Sequence, residues 1–122
     1  MLKRILCIAV VCAAGPALAD PPATAKTSKG PTLVDSKGMT LYTFDRDSGG
    51  KSACTGQCAR SWPPFVAPAD ARPTGAYTIV SRDDGVRQWA YKGHPLYTWS
   101  KDKAPGDIDG DDVVDAWHVA QP

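Results

Sequence analysis

Gly38-Met39-Thr40-Leu41-Tyr42-Thr43-Phe44-Asp45-Arg46-Asp47 returns 55 residues later as Gly93-His94-Pro95-Leu96-Tyr97-Thr98-Trp99-Ser100-Lys101-Asp102. The same offset carries Trp62 onto Trp117, so each half reads Gly-x-x-Leu-Tyr-Thr-aromatic-x-basic-Asp, a variable loop, then a Trp. Self-similarity at a fixed offset over this many chemically distinctive positions marks a tandem repeat. Within each copy the period is two, with Leu41 and Thr43 alternating with Tyr42 and Phe44, and Leu96 and Thr98 with Tyr97 and Trp99. That alternation predicts β-strands.

Working outward, Thr32–Asp35 before the Lys37-Gly38 turn predicts an opening hairpin. The second half predicts a meander: Tyr77–Arg82, a turn at Asp83-Asp84-Gly85, Val86–Lys92, a turn at Gly93, then Leu96–Ser100, closed by a strand over Ala116–Ala120. Three stretches resist strand assignment: 20–29, 63–75 and 101–112. A single helical turn fits between Cys54 and Arg60, because a spacing of four puts both sulfurs on one face and Pro63-Pro64 ends it. The expected architecture is all-β with little helix: a small antiparallel barrel or sandwich of two pseudo-symmetric repeats, about 31–70 and 75–120, with Trp62, Trp89, Trp99 and Trp117 in its core.

The 122 residues suit one small domain, and a formal charge of +1 excludes a strongly basic nucleic-acid binder. The first nineteen residues have the pattern of a secretory signal. Lys3 and Arg4 precede the apolar run Ile5–Ala14, and Ala17-Leu18-Ala19 supplies a small-x-small cleavage site before Asp20. The apolar run is shorter than the roughly 20 residues needed to span a bilayer, so the mature chain is expected without a transmembrane helix. It is expected in the periplasm or outside the cell, as a monomer. Residues 20–30 are expected to be a disordered leader and 31–122 the folded domain. Cys54 and Cys58, the two cysteines outside the signal, are expected to pair in an oxidising compartment.

Taken together, the two Tyr-x-aromatic-x-x-Asp segments, the Cys-x-x-x-Cys-Ala-x-x-Trp-Pro-Pro stretch and the late Trp-x-Val resemble a bacterial secreted-repeat family of unknown function. That family is described as predicted lipoproteins with a Tyr-x-[Phe/Trp/Tyr]-x-x-Asp motif. The resemblance covers residues 31–120 and implies an exported β-rich domain with motif positions Tyr42, Phe44, Asp47, Tyr97, Trp99 and Asp102. The chain departs from the family in lacking a suitable lipid-attachment cysteine, since Val11 precedes Cys12 where a small residue is wanted. Its late loop is also unusually acidic.

Two readings of the motif stay open. Aromatics at strand period are usually core, with an Asp fastening each turn. Alternatively, Tyr42, Phe44, Asp47, Tyr97, Trp99 and Asp102 face a ligand in a cleft between the halves. Asp107, Asp109 and Asp111 offer hard oxygen ligands at the first positions of a Ca²⁺ loop, although Asp112 and His118 stand where Gly and Glu belong. His94 and His118 could bind Cu²⁺ or Zn²⁺ with an Asp or Tyr. A divalent metal ion is the one cofactor these residues suggest. No Gly-x-Ser-x-Gly elbow and no phosphate-binding glycine loop occurs. The expected function is thus a non-enzymatic envelope module that binds a small ligand or an envelope protein. The alternative is a metal-binding or redox accessory protein, or a small enzyme of the cell envelope.

Overall fold

A computed structural model of the chain describes residues 22–122. The expected signal and its cleavage point lie outside the described residues. The elements in chain order are β1 (Ala23–Thr27), β2 (Gly30–Val34), β3 (Tyr42–Phe44), α1 (Gln57–Ser61), β4 (Tyr77–Ser81), β5 (Arg87–Tyr91), β6 (His94–Pro95) and β7 (Trp117–Val119). They form three small antiparallel sheets, β1-β2, β3-β7 and β4-β5-β6, joined by single bridges rather than closed into a barrel. Among the described residues the fold is all-β with one five-residue α-helix and a short 3-10 turn at Val113–Asp115, built from two repeats.

The repeats are related by an approximate two-fold that passes between Tyr42 and Tyr97, 55 residues apart. Each donates its N–H to the other's carbonyl, at 2.8 and 3.0 Å. Bonds farther out come in matching pairs. Asp45 N–H reaches Ala116 O at 2.8 Å as Ser100 N–H reaches Ser61 O at 3.0 Å, and Ala120 N–H reaches Leu41 O as Phe65 N–H reaches Leu96 O. Each motif segment is therefore sandwiched between the other motif segment and the stretch around the other repeat's Trp.

Two expectations need correction. Residues 23–27, expected within a disordered leader, are β1, paired residue for residue with β2 from Ala23↔Val34 to Thr27↔Gly30. The pairing closes through Ser28-Lys29, with Gly30 at φ +87° where a side chain would be strained. β1 is almost wholly exposed, so it carries no apolar alternation to betray it. Leu96–Ser100, expected as a full strand, makes only bridges at Tyr97 beyond β6. Thr98 N–H bonds Pro63 O at 2.9 Å, but Pro63 has no N–H to return. At the matching place in the other repeat stands His118, and there Thr43↔His118 is a regular pair of the β3–β7 ladder.

The core has two parts. One gathers Leu33, Leu41, Ala67, Trp89, Leu96 and Ala120 between the hairpins. The other surrounds the axis with Tyr42, Phe44, Cys54, Trp62, Tyr97, Trp117 and Val119.

Candidate functional site

Around the axis four aromatic rings stack in one column. Phe44 lies 4.2 Å from Trp117, Trp117 3.7 Å from Trp62 at an interplanar angle of 1°, and Trp62 4.0 Å from Trp99. Trp62 and Trp117, the repeat-equivalent pair, are the centre, and each is met edge-on by a motif tyrosine, Tyr42 and Tyr97 respectively. A cation closes each end: Arg46 over Phe44 at 5.9 Å and Lys101 over Trp99 at 5.8 Å. The motif's alternating aromatics thus form the column and its flanks, with Tyr42 and Tyr97 fully buried and Trp99 partly so.

The motif aspartates explain the tyrosine hydroxyls. Tyr42 OH donates to Asp102 Oδ2 at 2.7 Å, and Tyr97 OH donates to Asp47 Oδ2 at 2.6 Å. The pairing is crossed: each repeat's tyrosine is held by the other repeat's aspartate. The second oxygen of each carboxylate accepts a backbone N–H of its own loop, Ala53 on Asp47 at 2.6 Å and Asp109 on Asp102 at 3.1 Å. Burial pushes both phenols well above their usual range and raises both carboxylates, while the tyrosine and backbone donors pull the carboxylates back down. All four polar motif side chains are consumed in latches between the repeats.

The two loops that follow the latches differ. In the first repeat, a disulfide joins Cys54, in the loop before α1, to Cys58 in its first turn, with Cα atoms 5.2 Å apart. In the second, Gly110 packs so tightly that a Cβ there would lie 2.7 Å from the Trp62 ring and 2.9 Å from the Tyr42 ring. Gly110 N–H also donates to Tyr42 OH at 3.2 Å. This inward dip splits the acidic residues. Asp107 and Asp109 group with Asp102 on one side, and Asp111 with Asp112 and His118 on the other, with His94 in neither group.

Each acidic group is already engaged. Asp107 Oδ2 accepts the N–H groups of Lys103 and Ala104. Asp111 accepts Val119 N–H and holds Lys29 Nζ at 2.8 Å. Burial alone would raise Asp111, but the Lys29 ammonium and that N–H bring it below the usual carboxylate range. A cation arriving there would have to displace Lys29. His118 lies with Nε2 2.8 Å from Asp45 and Nδ1 3.4 Å from Asp112, and the hydrogen bond to Asp45 leads the causes that raise its pKa.

One functional candidate carried no motif. Arg82, at the end of β4, is only 7% exposed. Its Nη1 donates to Ser52 Oγ at 2.8 Å and Gln88 Oε1 at 3.0 Å, and its Nη2 to the Cys54 carbonyl. No ion pair among the described residues includes it, and its Nε, buried, has no acceptor. With the Tyr97 proton committed to Asp47, the Ser52 hydroxyl donates to Tyr97 at 2.6 Å. A chain of two hydroxyls therefore links the guanidinium to Asp47, whose charge it stabilises from a distance. Beside Arg82 opens a cleft of about 340 Å³, lined by Thr55 and Gly56 of the disulfide loop, by Ala59 of α1 and by Asp83 and Asp84 of the β4–β5 turn. The readable signal was Gln88, a polar residue inside an otherwise buried strand.

Comparison with known proteins gives a family and no activity. A family described as a secreted repeat of unknown function matches residues 23–66 and again 78–121. The two matches are offset by the same 55 residues as the motif. No curated protein and no solved structure matches. Among the described residues no helix is long and apolar enough to cross a membrane. The chain belongs to this secreted-repeat family, a description consistent with an extracellular or periplasmic location.

Proposed function

We propose that this secreted repeat is a non-enzymatic binding module whose recognition surface lies in the loops, the repeated motif being its frame. The latches support this division, because Tyr42, Tyr97, Asp47 and Asp102 face one another and leave no motif polar group directed outward. A column of stacked rings with a crossed latch on each side makes a rigid platform, and rigid platforms suit displayed recognition loops. The observation that carries the reading is Arg82. A buried guanidinium without a carboxylate partner is costly, and it sits beside a cleft rather than in the sealed core.

The test is native mass spectrometry on protein recovered from the periplasm under mild conditions, beside its denatured mass. The reading predicts an adduct of small-molecule or partner mass in the native spectrum that is absent after denaturation. A bare chain at every ionic strength tried would overturn it. The denatured mass also reports whether the chain begins at Asp20 and whether Cys54 and Cys58 have lost their two hydrogens.

A further inference from the structure

We infer that the cleft beside Arg82 takes a small zwitterion of the amino-acid type, with its carboxylate on the guanidinium and its ammonium toward Asp83 and Asp84. The inference rests on the binding-module reading and names the chemistry of its ligand. Arginine has five N–H donors. Three are used, on Ser52, Gln88 and Cys54, which leaves one N–H of Nη2 and the Nε–H, the latter sealed from solvent. Ser52, Gln88 and the Cys54 carbonyl are neutral acceptors, so the positive charge is solvated by dipoles and makes no direct ion pair among the described residues. Planar guanidinium donors match carboxylate and phosphate groups, and an acidic rim disfavours the more highly charged phosphate.

The rim decides against a simple anion. Asp83 and Asp84 line the same cleft and would repel a ligand that carried only negative charge. Asp84 spends Oδ1 on Val86 N–H at 2.9 Å, while the Asp83 carboxylate takes part in no hydrogen bond or ion pair among the described residues. A ligand with a carboxylate and an ammonium a few bonds apart satisfies both signs. The cleft, at about 340 Å³, is at the small end of the roughly 300–1,000 Å³ typical of small-molecule sites. Thr55, Gly56 and Ala59 offer short side chains on the facing wall, held in place by the disulfide to which Cys54 belongs. The symmetry isolates the feature further: with the β4–β5 turn one residue longer than the β1–β2 turn, the repeat-equivalents of Arg82 and Gln88 are Thr27 and Thr32, whose hydroxyls bond each other at 2.9 Å. The guanidinium therefore belongs to one repeat and is not part of the shared frame.

The experiment is a ¹H–¹⁵N NMR titration of the full mature chain that follows the Arg82 Nε–H and the backbone amides of Asp83 and Asp84. Three probes are compared: free glycine, acetate and ethylammonium. Free glycine is expected to move these signals saturably, with acetate and ethylammonium weaker by about tenfold or more, since each loses one charged contact. Asp83→Asn with Asp84→Asn, on the exposed turn, should weaken glycine toward the level of acetate. Arg82→Gln, followed at the Asp83 and Asp84 amides, should abolish the response to acetate, cut that to glycine to the level of ethylammonium, and leave the weak ethylammonium response in place. No movement of the Arg82 Nε–H with glycine, or equal binding of acetate and glycine, would overturn the inference. If that happens while the native adduct survives in Arg82→Gln, the binding module stands and its site is elsewhere. If the parent protein shows no native adduct either, both readings fall.

Discussion

The loop after Asp47 and the loop after Asp102 occupy equivalent places, yet they are secured by different chemistry. The first is stapled by Cys54–Cys58 and leans its polar groups on Arg82. The second has no staple; it is drawn in by Gly110 against Trp62 and Tyr42 and bound down by Asp107, Asp109 and Asp111. Both satisfy the same latch, a buried tyrosine hydroxyl on the opposite repeat's carboxylate. The difference teaches that the motif specifies how the halves close, while each loop is free to find its own way of staying closed. Divergence is therefore concentrated where a ligand could be met.

The largest effects should come from the shared column. Trp62→Ala and Trp117→Ala are each expected to lower unfolding free energy by about 3–5 kcal/mol, and to similar extents because the residues are equivalent across the axis. Urea denaturation would measure this, and a clearly unequal pair would break the symmetry. Next are the latches. Tyr42→Phe leaves the buried Asp102 carboxylate and Tyr97→Phe the half-buried Asp47 carboxylate short of a donor, with an expected cost of about 1–3 kcal/mol, the larger for Tyr42.

The loops should then separate. Gly110→Ala must push the Trp62 and Tyr42 rings apart and is expected to cost about 1–3 kcal/mol. Thr55→Ala, at the equivalent position in the other loop, is exposed and should stay within roughly 0.5 kcal/mol of the parent. Replacing Cys54 and Cys58 together by Ser should cost about 2 kcal/mol or less, because the loop they close is short. Its larger consequence should be a loosened cleft wall, seen as faster amide exchange over 55–59.

The smallest expected effect is electrostatic and confined to one repeat. His118 has its pKa raised above 6.5 by Asp45 and its neighbours. A raised folded value means the charged imidazole favours the native state. That contribution is whole below pH 6.5 and fades as pH rises through the folded pKa. Thermal melts should show Tm falling slightly over that window, and His118→Gln should remove the slope. Pro63, the equivalent residue, cannot titrate, so no second step is expected.

Much of this arrangement was legible beforehand. The offset of 55 residues announced the repeats, alternation announced the strands around Tyr42 and in β4 and β5, and the cysteine pair announced the disulfide, although the helix beside it begins only at Gln57 and leaves Cys54 in the preceding loop. What stayed hidden depended on contacts between the halves. Nothing local says that Tyr42 pairs with Tyr97, or that its hydroxyl crosses to Asp102 rather than to Asp47 nearby in sequence. β1 was missed because its side chains are small, polar and exposed, so it has no pattern. The acidic loop resembled a Ca²⁺ loop by spacing alone, but Gly110 turns inward and sends its aspartates to opposite sides. Arg82 belonged to no motif, and only its burial makes it conspicuous.

The crossed latch is the centre of the account, and double-mutant cycles test it most directly. Unfolding free energies would be measured for Tyr42→Phe and Tyr97→Phe, each alone and combined with Asp47→Asn or Asp102→Asn. The structure predicts coupling of about 1 kcal/mol or more for Tyr42 with Asp102 and for Tyr97 with Asp47. It predicts additivity within roughly 0.5 kcal/mol for Tyr42 with Asp47 and Tyr97 with Asp102. Strong coupling inside a repeat, with additivity between repeats, would show that each half latches to itself and would contradict the account.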